Sequence, residues 1–177
     1  MLSQLLSLSL LLGLSRACDF PHNTANQLYF QSCDTSLPIQ VDSLAVLKTD
    51  GSANYPVDPA HPFQIKAVAQ NGYGVIRHTR TTVELSSWSS SKCQWQSYSF
   101  INRFLKNLDG CQFTSECVPL PAGKVAKDVT VNLSKFAWII KLLTNGTPYQ
   151  LKITQHEVDN SANTPLLCLY TQFLVQH

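Results

Sequence analysis

Charge is what this 177-residue chain has least of: 14% of its residues are Lys, Arg, Asp or Glu, against about 25% in an ordinary soluble domain. Thirteen basic and eleven acidic side chains leave a formal charge of +2. There is no basic run to exchange counterions for phosphate contacts, which excludes nucleic-acid binding of the usual electrostatic kind. A hydrophobic content of 44% excludes a disordered acidic or basic chain, which has few apolar groups. Long apolar runs are also missing beyond the N-terminus. The best of them, Trp138-Ile139-Ile140, is followed at once by Lys141, so no helix of the roughly 20 apolar residues that span a bilayer is expected.

Catalytic signatures are absent as well. No GxSxG, HExxH or phosphate-cradling Gly loop occurs, and the carboxylates are scattered with no pair assignable to one cleft. There is no CxxC, and no two of His22, His61, His78, His156 and His177 stand at ligand spacing, so neither a metal nor another cofactor is expected. The chain reads as a non-enzyme with no catalytic residue.

What is present begins with residues 1–17, MLSQLLSLSLLLGLSRA. Leu5 to Leu14 holds only Leu, Ser and Gly, too short for a span. Ser15 and Ala17 are the small residues of a cleavage site before Cys18. The segment lacks an N-terminal Lys or Arg but otherwise has a signal peptide's form. The expected mature chain is one domain, 18–177, secreted to the extracellular space or delivered to the lysosomal lumen, and monomeric.

All six Cys, at 18, 33, 93, 111, 117 and 168, fall in that mature part. An even set in a secreted chain reads as disulfides, though spacing alone does not choose among the fifteen connectivities. Cys111 and Cys117 are close enough to staple a small loop. Cys33 and Cys168 then stand as candidates for a long bridge. Asn132-Leu133-Ser134 and Asn145-Gly146-Thr147 are glycosylation sequons, which suit the same compartment.

Several segments alternate with period two. Phe63, Ile65, Ala67 and Ala69 form one face of a strand, followed by Asn71-Gly72, a strong hairpin signal. Val75 to Leu85 continues as a strand rich in Thr and Val. Further strands are expected at Leu28–Ser32, Ile39–Lys48, around Val125, Val129, Val131 and Leu133, at Tyr149–Thr154, and at Leu166–Val175. Seven or eight short strands imply an antiparallel sandwich. Two segments break the pattern. Phe100, Ile101, Phe104, Leu105 and Leu108 share one helical face, with Arg103, Lys106 and Asn107 turned away. Phe136 to Leu143 is apolar enough for either a helix or a strand.

Four pieces resemble the ML-domain lipid-recognition family, which includes the ganglioside activator proteins and the Niemann-Pick type C secreted sterol-binding protein. They are Phe30-Gln31-Ser32-Cys33, the hairpin Gly110-Cys111 to Cys117 with Pro119 and Pro121 after it, Thr144-Asn145-Gly146 to Ile153, and Leu166-Leu167-Cys168 to Phe173. The resemblance covers about residues 28–175 and implies the pairs Cys33–Cys168 and Cys111–Cys117. The family's further bridge near the first strand has no counterpart. Cys18 and Cys93 remain, and they are expected to pair with each other.

The resemblance implies an all-β fold: an immunoglobulin-like two-sheet antiparallel β-sandwich with an internal apolar cavity and one short helix. It implies a non-catalytic lipid-binding or lipid-transfer protein whose ligand is a sterol, phospholipid or glycolipid held between the sheets. Alternatives are an activator that presents a glycolipid to a lysosomal hydrolase and a lipid-sensing adaptor of a receptor. The strand faces give the expected lining: Phe63, Ile65, Val75, Val129, Val131, Leu151, Ile153 and Phe173. The pattern-breaking segments give the expected mouth: Trp88, Trp95, Phe100, Phe104, Trp138 and Ile140. In the ganglioside activators apolar loops beside the cavity touch membranes, which implies transient membrane contact here.

Overall fold

A computed structural model describes residues 18–113, 119–158 and 164–176. The expected signal segment 1–17, Cys117 and the turn 159–163 lie outside these residues. Among the described residues, nine strands form two antiparallel sheets, the all-β sandwich that the alternation implies. They are β1 (Tyr29–Ser32), β2 (Ile39–Lys48), β3 (Phe63–Asn71), β4 (Thr79–Ser89), β5 (Gln94–Ser97), β6 (Leu108–Asp109), β7 (Gly123–Val131), β8 (Pro148–Glu157) and β9 (Pro165–Leu174). The first sheet runs β1-β9-β8-β4-β5, with β6 also on β4, and the second runs β2-β3-β7. Helices α1 (Ser99–Phe104) and α2 (Ala137–Ile140) interrupt the strands. No described helix is long and apolar enough to cross a membrane.

Asn71-Gly72 makes no hairpin. β3 pairs with β2 and β7, while β4 pairs with β8, β5 and β6. The chain therefore leaves one sheet for the other at this point. Asn71 is buried, and its amide donates to the carbonyls of Gly74 (2.6 Å) and Pro121 (2.8 Å) while its Oδ1 accepts the N–H of Tyr73 (3.0 Å). Those bonds fix a crossover where the dipeptide alone suggests a return. The strand expected from Val75 starts at Thr79, after Ile76 has bridged to Leu120. The apolar segment 136–143 is settled as a turn of helix.

Inward and outward faces follow from register. A bulge between Val41 and Ser43 shifts β2 by one residue, so Ile39 and Val41 share the inner face with Leu44 and Val46. Two buried clusters result. One joins Leu85, Tyr149 and Val175 to Ile101, Leu105 and Ile139 of the helical segments. The other joins Ile39, Ile76, Leu166, Leu167 and Leu169. Each fully buried apolar side chain of this kind contributes about 1.5–3 kcal/mol.

Disulfides tie the edges. Cys33 bonds Cys168, with the Cys33 N–H donating to the Cys168 carbonyl at 2.9 Å. Cys18 bonds Cys93 and fastens the N-terminal segment to the β4–β5 turn, where the Cys18 N–H also reaches the Ser90 carbonyl. Cys111 is disulfide-bonded; its expected partner Cys117 lies outside the described residues.

Candidate lipid-binding site

Strand β2 lies beside β1 and β9, where the two sheets meet edge to edge. Between the two buried clusters lie inner-face residues of the central strands. Ile65 stands on β3 between Phe63 and Ala69, and its register partner Val129 stands on β7. Ile153 stands on β8 between Leu151 and the Leu167–Leu169 end of β9. Ile65 and Ile153 are flanked by strands on both sides, yet each is only half-buried, as is Val129 on the edge strand β7, and none of the three belongs to either cluster. An inner-face residue of a central strand in a filled sandwich would be fully buried. Solvent-sized space therefore reaches these side chains. Of the other lining candidates, Phe63 and Val131 are buried, while Leu151 and Phe173 pack partly buried on the first cluster. Val75 does not join them; it sits 60% exposed in the loop before β4.

The helices pack on the first cluster, against Leu85, Tyr149 and Val175. Helix α1 leaves β5 and returns to β4, where the Val83 N–H meets the Leu105 carbonyl at 2.8 Å. Its apolar arc is broader than one contact face. Ile101 and Leu105 are buried, whereas Phe100 and Phe104 are 66% and 51% exposed and stack edge to face at 5.2 Å. This divides a face expected to be shared. Helix α2 does the same: Ile139 and Ile140 are buried, and Trp138 is 41% exposed. Trp138 meets Phe104 at 5.5 Å, nearly perpendicular. Phe100, Phe104 and Trp138 thus form one exposed aromatic row above buried side chains. Ile140, expected at the mouth, lies beneath it.

Sequence reasoning missed the residue that fixes α1. Asn102 is buried, its Oδ1 accepting the Leu85 N–H (2.7 Å) and its Nδ2 donating to the Leu85 carbonyl (3.3 Å) and Ser97 Oγ (3.0 Å). The helix is too short for its own bonds to hold it, so this amide supplies the strand edge that β4 lacks there. The signal available was an Asn on the apolar side of the segment.

Trp88 and Trp95 stand apart from the row. They are register partners on β4 and β5, stacked edge to face at 5.3 Å. Trp88 shares the outward face of β4 with Glu84, opposite to Leu85. Its indole nitrogen is buried without a hydrogen-bond partner among the described residues. Both sequon asparagines, Asn132 and Asn145, are exposed outside the strands.

A separate polar groove of about 560 Å³ lies along the edge of the first sheet, lined by Arg80, Thr82, Lys106, Asn107, His156, Glu157 and Val158. It shares no residue with the expected lipid lining or mouth. Glu157 accepts a hydrogen bond from the Tyr73 hydroxyl at 2.7 Å, and that bond holds the Tyr73 phenol above its usual range.

No family model matches the chain, and no curated protein sequence matches it. Among solved structures it is similar to a Niemann-Pick type C2 protein from Japanese carpenter ant, with a TM-score of 0.48 and 9% identity over 84% of this chain and 99% of that one. It is also similar to the C-terminal domain of wzt, with a TM-score of 0.41 and 8% identity over 86% and 78% of the two chains.

Proposed function

We propose that this protein is a non-catalytic lipid-binding and lipid-transfer protein of the extracellular space or a lysosomal lumen. The carrying observation is that Ile65 and Ile153, on the inner side of central strands by alternation, are only half-buried and belong to neither packed cluster. An acyl chain or sterol placed there would replace solvent with hydrocarbon contact, worth about 0.8 kcal/mol per buried methylene. Phe63, Val131, Leu151 and Phe173 would flank it. The disulfides accord with an oxidising compartment.

The aromatic row supplies a route to a bilayer. Trp and Phe partition to the interface of membrane and water, and basic side chains beside them favour anionic lipid. Exposed Arg103, Lys106, Lys135 and Lys141 lie in the same short segments as Phe100, Phe104 and Trp138, and no acidic residue occurs in 98–108 or 133–147. The expected order is contact through the row, parting of α1 from α2, and entry of the apolar ligand between the sheets.

Native mass spectrometry and lipid extraction of the protein from its own host test this reading. The expected result is a bound lipid, released under denaturing conditions. Absence of any lipid, together with no uptake of labelled phospholipid or sterol, would overturn it.

A further inference from the structure

The outward face of the first sheet carries two successive rows of opposite character. In the register, Glu84 stands opposite Lys152, and they form an ion pair at 3.3 Å. Four residues along the same face, Arg80 stands opposite His156. Lys106 is then added to the same groove. Neither Arg80 nor Lys106 makes an ion pair among the described residues.

Two carboxylates stand nearby. Asp109, the partner of Arg80 on β6, accepts the N–H of Cys111 at 2.9 Å, and Glu157, which also lines the groove, accepts from Tyr73; both keep their charge, so the groove's cationic side is the one that Arg80 and Lys106 form.

The groove wall is also fixed. Asn107 has a positive φ of 54° and donates its N–H to Thr82 Oγ1 at 3.3 Å. At Gly110 an added Cβ would lie 2.2 Å from Thr79 Oγ1, so the 107–110 segment sits against β4 as closely as glycine permits. These bonds carry Lys106 over the sheet edge toward the Arg80 row. The Thr82 hydroxyl, accepting from Asn107, retains its own proton to donate.

We propose that this groove is an anion site for a phosphate or sulfate ester, distinct from the lipid cavity. The Arg80 guanidinium binds two ester oxygens through its planar fork, and the Lys106 ammonium neutralises the remaining charge. The Thr82 hydroxyl and the Asn107 side-chain amide meet the group that bears the ester. A volume of about 560 Å³ falls in the range of small-molecule sites, roughly 300–1,000 Å³, and leaves room beyond the anion for a sugar or glycerol moiety. The ester comes either from a soluble phosphorylated or sulfated sugar or from a phospholipid headgroup at a bilayer.

The test uses the disulfide-bonded mature protein. Binding of a hexose phosphate, a hexose sulfate and the neutral hexose is measured by titration calorimetry. Binding to phosphatidylcholine vesicles with and without phosphatidic acid is measured by sedimentation. The expected result is saturable binding of an ester sugar but not of the neutral one, or binding of phosphatidic acid vesicles that Arg80→Gln removes, which identifies the headgroup as source. Arg80→Gln weakens that binding about tenfold or more, with an unchanged melting temperature and unchanged lipid content, and Lys106→Gln weakens ester-sugar binding to a similar extent. Lys124→Gln, on the other sheet, leaves it as it was. No saturable binding of any ester, or an equal loss in Lys124→Gln, would overturn the proposal without touching the lipid reading.

Discussion

The rings of Phe104 and Trp138 meet at 5.5 Å and 84° across the junction between α1 and α2. One helix comes from the first sheet and the other follows the last strand of the second. The contact therefore links a helical segment of the first sheet to one that follows the second. Both rings are largely exposed, so it adds little to the packed core. We expect Trp138→Ala and Phe104→Ala each to slow lipid transfer between vesicles several-fold while leaving the melting temperature nearly unchanged. A double-mutant cycle on stability should return a coupling of about 0.5–1.5 kcal/mol, the usual range for such aromatic pairs. Transfer rates equal to wild type in both variants would remove the row from the pathway.

Asn102 poses a different test, because it is buried and bonded on both sides. Asn102→Leu keeps the volume but leaves the Leu85 N–H unpaired beneath α1, while the Leu85 carbonyl keeps the Tyr98 N–H at 3.1 Å. The expected cost is about 1–3 kcal/mol for each unpaired buried group, read as a lower denaturant midpoint. Amide exchange should quicken at Leu85 and through α1 while β8 and β9 stay protected. Uniform loss of protection across the sheet would show that the bond is global in effect.

The Cys18–Cys93 bridge closes a segment of 75 residues. On the chain-entropy view a loop of that size is worth about 4–5 kcal/mol. The double variant Cys18→Ser, Cys93→Ser should lose a large part of this. It should also release the N-terminal segment, where His22 Nδ1–H donates to Gln172 Oε1 at 2.8 Å. Limited proteolysis that cuts the variant before Tyr29 and spares the wild type is the expected reading. Alkylation of Cys93 without prior reduction of the wild type would contradict the bridge itself.

Much of the strand inventory was legible, because a half-buried strand writes its inner face as every second residue. Ile65 and Ile153 could be named from that alternation alone. What alternation cannot write is which strand lies alongside. Asn71-Gly72 has the same local turn preference whether its flanking strands pair or part, and the burial of the Asn71 amide against Pro121 decided the matter. Val75 alternates with its neighbours yet precedes the strand, since nothing local marks where pairing begins. The helical segments gave their apolar residues but not how those divide. Phe100 and Ile101 are adjacent and equally apolar, and only the position of β4 sends one outward and the other in. The opposition of Arg80 and His156 exists only in the register between β4 and β8, 76 residues apart in the numbering, so no motif could announce it.

Two tyrosines give the fold an alkaline limit. Burial holds the Tyr149 phenol above its ordinary value, and burial likewise raises Tyr55. Tyr149 accepts the Thr144 N–H at 2.7 Å, and Tyr55 accepts the Leu174 N–H at 3.1 Å. A raised folded value means that the neutral phenol is the form the fold favours. The stabilisation is complete below the unfolded value of about 10 and is lost as pH rises through the folded values. Melting temperature should therefore fall above that pH. In Tyr149→Phe the alkaline fall should be shallower, with a cost near neutrality of about 0.5–1.5 kcal/mol for the lost bond. An unchanged alkaline slope would place the limit elsewhere.

Ile153 allows the interior space to be probed without any ligand in hand. Adding volume to a filled core costs about 1–3 kcal/mol through forced rotamers and backbone shifts. Leu169, the register partner of Ile153, is buried in the second cluster, so Leu169→Trp should pay that cost in full. Ile153→Trp should not, because its indole would enter the space between the clusters and gain apolar contact there. The expected pair of outcomes is a lowered denaturant midpoint for Leu169→Trp and an equal or higher one for Ile153→Trp. In the same preparation, native mass spectrometry of Ile153→Trp should show the bound-lipid fraction strongly reduced. Two variants losing stability alike would mean that the interior is filled by the protein's own side chains. The lipid reading would then lose the observation that carries it.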